Sequence, residues 1–151
     1  MQIDAKYVHT NLIAKDWRKL AAFYENTFGC TPVPPQRDLR GEDLSRGSGV
    51  EGAQLQGMHL RLPGYGNNGP TLEIFQYTES LPLLPTAANR PGFGHICFAV
   101  PDVEKAREVV LQAGGSAVGE TVTIEIGNKG TVKWVYMADP EGNIVELQKW
   151  E

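Results

Sequence analysis

Apolar and polar positions alternate loosely over residues 7–14, with Val, Ile and Leu among them, which predicts a strand. Asp16 then stands as an N-cap before Trp17, Leu20, Ala21, Tyr24 and Phe28, a stripe at helical spacing. Gly29 is the stop signal. Residues 31–34 predict a short second strand, confined to an edge or a bend by Pro32, Pro34 and Pro35. Residues 56–62 and 71–77 predict paired strands joined by the turn residues 63–70. The order then begins again. Residues 93–100 predict a strand, and Asp102 caps a helix with Val103, Ala106, Val109, Val110 and Ala113 along one face. Gly114 and Gly115 end that helix. Residues 116–126, 131–138 and 143–149 predict strands, the last two joined at Asp139-Pro-Glu-Gly142. Each half therefore reads βαβββ.

The halves match in detail. His9 precedes Asp16 by seven residues, and His95 precedes Asp102 by seven. Gly29 follows His9 by twenty, and Gly115 follows His95 by twenty. Gly69-Pro-Thr-Leu-Glu-Ile-Phe-Gln-Tyr77 pairs with Gly142-Asn-Ile-Val-Glu-Leu-Gln-Lys-Trp150, each a glycine, then a glutamate between aliphatics, then an aromatic. The expected organisation is one domain over 1–151, with module one at 6–77, a linker at 78–91 and module two at 92–150. From His9 to Glu73 is 64 residues and from His95 to Glu146 is 51, so about 13 residues are extra. They fall mostly in 36–56, a polar and glycine-containing stretch that reads as an inserted loop and a place for substrate specificity.

Each copy opens on a His and closes on a Glu. Side chains in a strand alternate between faces. Leu72 and Ile74 turn one way, so Glu73 turns the other, and Glu146 does the same between Val145 and Leu147. A carboxylate out of water is costly unless paired or bound to a cation. Taken singly, a strand His is usually a hydrogen-bonded core residue and a strand Glu is usually solvated. At matched positions of two repeats, His9, Glu73, His95 and Glu146 are expected to hold one divalent metal. By strand parity Tyr7, Asn11, Thr71, Phe75, Phe93 and Cys97 share the ligands' face. Asn11, Phe75, Phe93 and Cys97 are the expected substrate pocket. His59 has no counterpart in the second half and is set aside. Trp134 and Tyr136 read as core, and Arg61 and Lys133 as surface charge.

Composition narrows the partners. A net charge of −4 with no Lys/Arg run excludes a nucleic-acid surface. The apolar runs are too short for a membrane span, and the opening residues lack a signal-peptide layout. Cys30 and Cys97 make no disulfide framework, so a reducing cytoplasm is expected. Cys97, in an apolar run, reads as a buried thiol.

The duplicated βαβββ layout, the strand His opening each copy and the ending Asp139-Pro-Glu-Gly-Asn-Ile-Val-Glu146 resemble the vicinal oxygen chelate superfamily. That group includes glyoxalase I, methylmalonyl-CoA epimerase, extradiol dioxygenases, fosfomycin-resistance enzymes and bleomycin-binding proteins. The resemblance implies an α+β fold whose two modules form a curved, cup-like mixed sheet around a metal. With Glu73 at the end of the first module, the ligand set resembles the four-ligand glyoxalase I type. Two imidazoles and two carboxylates suit Ni, Co, Zn, Mn or Fe(II) with two water positions open. The implied activity is a metal-dependent lyase or isomerase acting through an enediolate or enolate on a small substrate with vicinal oxygens. By resemblance Glu146 is the first candidate for the base and Glu73 its mirror partner. The alternatives are an epimerase, an extradiol dioxygenase and a non-catalytic binder of a small molecule such as an antibiotic. Where glyoxalase I carries a Thr-His-Asn-like run, this chain has Phe75-Gln76-Tyr77. Asn11 stands where some members have a basic residue. Both departures weigh against a glutathione hemithioacetal. Glu51 stands near the second base of the epimerases and reads as a solvated loop residue. The superfamily is usually dimeric, which implies a homodimer here.

Overall fold

A computed structural model describes residues 2–151. The chain divides into two compact units, Met1–Pro82 and Leu83–Glu151.

The first unit runs β1 (His9–Ile13), α1 (Trp17–Phe28), β2 (Thr31–Arg40), α2 (Glu42–Ser48), β3 (Gln54–Arg61) and β4 (Thr71–Tyr77). Its sheet has the order β1-β4-β3-β2, with β1 parallel to β4 and the other pairs antiparallel. The Asp16 carboxylate accepts from the Lys19 N–H, so the first turn of α1 has a partner for one of its orphan donors. Gly29 closes the helix in the left-handed region at φ 70°, where a Cβ would be strained. Leu20, Ala21 and Tyr24 are at most 3% exposed. They lie on the sheet face that carries Leu60, Leu72 and Ile74, also at most 1% exposed. Each buried Leu or Ile among them contributes about 1.5–3 kcal/mol before entropy.

The second unit runs β5 (Ile96–Ala99), α3 (Val103–Gln112), β6 (Ser116–Ala117), β7 (Val122–Glu125), β8 (Thr131–Ala138) and β9 (Ile144–Trp150). The order is β5-β9-β8-β6, with β7 also paired to β8 and β5 parallel to β9. Asp102 caps α3 by accepting from the Lys105 N–H. Val103, Val110, Val135, Val145 and Leu147 form the buried layer. In the turn before β9, the Asp139 carboxylate accepts from the Glu141 and Asn143 N–H groups and from the Asn143 side-chain amide. The α+β class and the two βαβββ modules are therefore present.

Several boundaries differ from the pattern. Residues 36–56 are not a bare loop. β2 continues through a bulge between Val33 and Arg37 and pairs with β3 as far as Arg40↔Gln54. α2 follows and buries no residue. This stretch lies along a sheet edge and makes a helix with no apolar stripe, so no periodicity marks it. The strand expected over 116–126 breaks into β6 and β7. In the gap the Val118 and Gly119 N–H groups both donate to the Tyr136 carbonyl. β5 is shorter than 93–100, because Phe93 lies outside it and is fully exposed within its unit. On α3, Val109 and Ala113 face outward, and the buried stripe follows Val103 and Val110.

Gly57 lies in β3 under Phe75. A Cβ there would meet Ile74 O at 2.1 Å and Phe75 Cδ1 at 2.4 Å. Gly57→Ala is expected to destabilise by about 1–3 kcal/mol through overpacking against backbone, read by urea unfolding. The Asp16 carboxyl is held below its usual range, chiefly by the Lys19 N–H. A depressed acid stabilises above its unfolded pKa and loses that contribution as pH falls through its folded value. Asp16→Ala should therefore lower Tm at neutral pH, and by progressively less as pH falls below the ordinary Asp value of about 3.9.

Candidate metal centre

In β4 the aliphatic neighbours Leu72 and Ile74 are buried, so Glu73 is turned to the other face. On β1 and β3 the register sets its company: Asn11↔Glu73, His9↔Thr71 and His59↔Glu73. His59 Nε2 lies 2.8 Å from Glu73 Oε1, and His9 Nε2 lies 3.6 Å from Oε2. Asn11 Nδ2 donates to Oε2 at 2.8 Å. The Glu73 side chain is only 13% exposed, so these groups replace much of its water. His59 also has Nδ1 3.0 Å from Thr71 Oγ1 and stands edge-on to His9 and to Phe75. Burial holds the His59 imidazole below its ordinary value. Glu73 opposes that shift, while Arg37 and His9 add to it.

The second unit repeats the plan with different chemistry. β5 and β9 pair Cys97↔Glu146, and β8 and β9 pair Tyr136↔Glu146. His95 Nε2 lies 2.9 Å from Glu146 Oε2, and the Glu146 side chain is 16% exposed. His95 tilts against the Tyr136 ring at 4.8 Å, which in turn touches Trp134. Cys97 is an exposed residue, not the buried thiol its apolar run implies. Its sulfur is nonetheless crowded by the sheet and stands beside Glu146, its register partner. Loss of solvent first and the carboxylate second push the thiol up to about 12. The Tyr136 phenol is raised by the same two causes.

Each His–Glu pair is thus brought together inside its own unit. Asn11, Phe75 and Cys97 fall beside these pairs, as parity implies; Phe93 does not, because the strand begins after it. Arg61 is a loop support, donating to the Gly69 carbonyl. Lys133 pairs with Glu104, and Glu51 is exposed in the turn before β3. A cavity of about 360 Å³ lined by Arg18, Asp38, Arg40, Gln56 and Gln76 includes none of the expected ligands.

Two residues were missed. His59 does have a counterpart: counting across the registers, it is Tyr136, since each faces the module's glutamate. Matching by residue identity hides a His–Tyr equivalence. Loop 63–70 is too long to fix the register of the two strands, so no signal in the sequence finds it.

The donors fit a divalent ion. Two donors about 2.1 Å from one metal and at right angles lie about 3 Å apart, close to the 2.8, 2.9 and 3.6 Å separations here. Ligand atoms of His9, His59 and Glu73 all lie within 4.8 Å of one another. Such a site suits the borderline transition metals.

The class defined by this fold and site is a duplicated βαβββ protein with a His and a Glu on the open face of each module. Residues 6–147 match the model of the Glyoxalase/Bleomycin resistance protein/Dioxygenase superfamily, and the chain belongs to that family. It resembles the crystal structure of a glyoxalase family protein from Bacillus cereus, with TM-score 0.72, 16% identity and coverage of 99% of this chain and 95% of that one. It also resembles the fosfomycin resistance protein FosX from Listeria monocytogenes, solved with Mn(II) and sulfate, with TM-score 0.56, 15% identity and coverage of 99% and 95%. Glyoxalase 1 of Caenorhabditis elegans is 29% identical over 79 residues, 51% of this chain. Those residues span about a quarter of that relative, 26% of its length. No helix among the described residues is long and apolar enough to cross a membrane.

Metal-free protein should show Cys97 alkylation by iodoacetamide rising only well above the ordinary cysteine range, consistent with a thiol near 12. Glu146→Gln should bring that onset down, because a charge that opposes the thiolate is gone. Mass spectrometry locates the adduct. A Cys97 that titrates normally would contradict this electrostatic picture.

Proposed function

We propose that the protein is a metal-dependent lyase or isomerase of the glyoxalase type, with His9, Glu73, His95 and Glu146 as metal ligands. The observation that carries this reading is the pairing of a largely buried carboxylate with an imidazole at the matched place of both repeats. The substrate is a small molecule with vicinal oxygens. When bound, the metal supplies Lewis acidity to the substrate's carbonyl oxygen. Glu146 takes the proton from the carbon next to that carbonyl. His95 Nε2, 2.9 Å from Glu146 Oε2, is near enough for both to share the metal, and the Cys97 and Tyr136 side chains beside Glu146 stay protonated at neutral pH. Glu73 has Asn11 on one oxygen and His59 on the other. It must break those contacts to move, which supports a holding role for it and leaves Glu146 as the base. Phe75 and Asn11 supply one apolar and one polar wall. The two modules act as one domain over 1–151, and the working form is a homodimer.

The test is solvent deuterium exchange on a panel of α-hydroxy ketones, hemithioacetals and acyl-CoA esters, with elemental analysis alongside. The expected result is exchange at the carbon next to a carbonyl in wild type. Glu146→Gln should reduce it about 10²–10⁴-fold while keeping part of the metal. Alanine at any of the four ligands should weaken metal binding by about 100-fold or more, beyond what removal of a supporting group costs. Stoichiometric metal without exchange on any panel member would sink the lyase or isomerase reading. Oxygen uptake with catechols would replace it by dioxygenase chemistry.

A further inference from the structure

The face of the first sheet that is apolar under α1 turns polar at one end. Gln76 shares a face of β4 with the buried Leu72 and Ile74, so it lies on the α1 side, away from Glu73. The register carries that face across the sheet. Gln76↔Gln56 and Gln56↔Asp38 make one row, and Gln54↔Arg40 lie in the next, beside Thr78, whose N–H donates to the Gln54 carbonyl. The cavity of about 360 Å³ lies at these rows, and Arg18, in the first turn of α1, also lines it. We infer that this cavity binds a small anionic ligand through a carboxylate or phosphate group, held by Arg18 and Arg40 on the side of the sheet opposite Glu73. The inference is independent of the proposed metal chemistry.

Charge, hydrogen-bond capacity and size all support it. Asp38 is the one acidic residue in the lining. Its Oδ1 accepts from Arg40 Nη2 at 2.7 Å and its Oδ2 from Gln56 Nε2 at 3.1 Å. One carboxylate therefore offsets one of two guanidiniums. Arg18 makes no ion pair among the described residues; its guanidinium lies over the Trp17 ring, 4.4 Å from the centroid. Stacking uses the flat face of that group and leaves its N–H edge to donate. The cavity thus keeps a net positive charge. Gln76 Oε1 accepts from the Trp17 N–H at 3.2 Å, which fixes the amide and leaves its Nε2 without a partner among the described residues. The unspent capacity at the cavity is then mostly N–H, which calls for an acceptor. A guanidinium fork matches a carboxylate or phosphate with two parallel N–H···O bonds. The volume falls within the range of about 300–1,000 Å³ usual for small-molecule sites.

Inorganic phosphate and malonate are titrated separately into the whole ¹⁵N-labelled protein, with chloride holding ionic strength constant. The side-chain amides of Gln76 and Gln56 and the Arg18 Nε–H are followed by NMR. The expected result is a saturable shift of these signals with at least one anion. Saturation by phosphate alone assigns a phosphate ligand, and saturation by malonate alone a carboxylate. The Asn11 amide, on the other side of the sheet, reports separately on anions near Glu73. Arg18→Gln should weaken binding about 10-fold or more, the cost of one charge-assisted contact. Lys19→Gln removes the same charge one residue along, outside the cavity lining, and should leave binding unchanged. All of these substitutions are at exposed positions, and circular dichroism checks each fold. Shifts that grow without saturating for both anions overturn the inference. So does binding that survives Arg18→Gln, or an equal loss in Lys19→Gln, which would mean general attraction to a cationic surface. The titration of wild type needs no variant to fold.

Discussion

The structure depends on the two-residue period of β4 and β9. Leu72 and Ile74, like Val145 and Leu147, must lie under their helices, because their burial supplies much of each unit's core. That leaves Glu73 and Glu146 on the opposite face with no freedom to choose. A one-residue slip would drive each carboxylate into the apolar layer and put the aliphatics on the open face. The carboxylates are nevertheless mostly out of water, at 13% and 16% exposure. Their charge is tolerated because imidazoles and an amide stand 2.8–3.6 Å away. The register that builds the core is therefore the same one that gathers the polar site.

Much of this was legible in the chain because core elements announce themselves by period. Asp16 and Asp102 cap their helices as read, and Gly29 ends α1. β4 and β8 run over the expected Thr71–Tyr77 and Thr131–Ala138. These segments bury one face, so the alternation survives in the sequence. β2 beyond its prolines and α2 bury little or nothing, and there the sequence is free to be polar. Cys97 shows the opposite limit. An apolar run does not say which of its residues face the helix, and β5 turns Ile96 and Phe98 inward more than Cys97.

His59 was illegible for a different reason. Its role is set by cross-strand register, and the eight-residue loop 63–70 does not fix a register as a tight turn does. Once β3 and β4 are aligned, His59 faces Glu73. The same alignment in β8 and β9 puts Tyr136 opposite Glu146 and half-buried, not in the core as expected.

Aligned this way, the repeats agree at two positions and part at two. His9 matches His95 and Glu73 matches Glu146, while Asn11 stands for Cys97 and His59 for Tyr136. The divergent positions are the register partners of the carboxylates on the neighbouring strands. Glu73 is surrounded by nitrogen groups, two imidazoles and an amide. Glu146 has one imidazole, a thiol and a phenol, the last two raised well clear of ionisation. Amide and imidazole partners hold a carboxylate in place through strong, charge-assisted hydrogen bonds. A thiol is a weak donor, and exchanging its contact costs little. A duplicated scaffold that keeps its ligand positions and changes only what leans on each glutamate can therefore assign holding to one half and proton movement to the other.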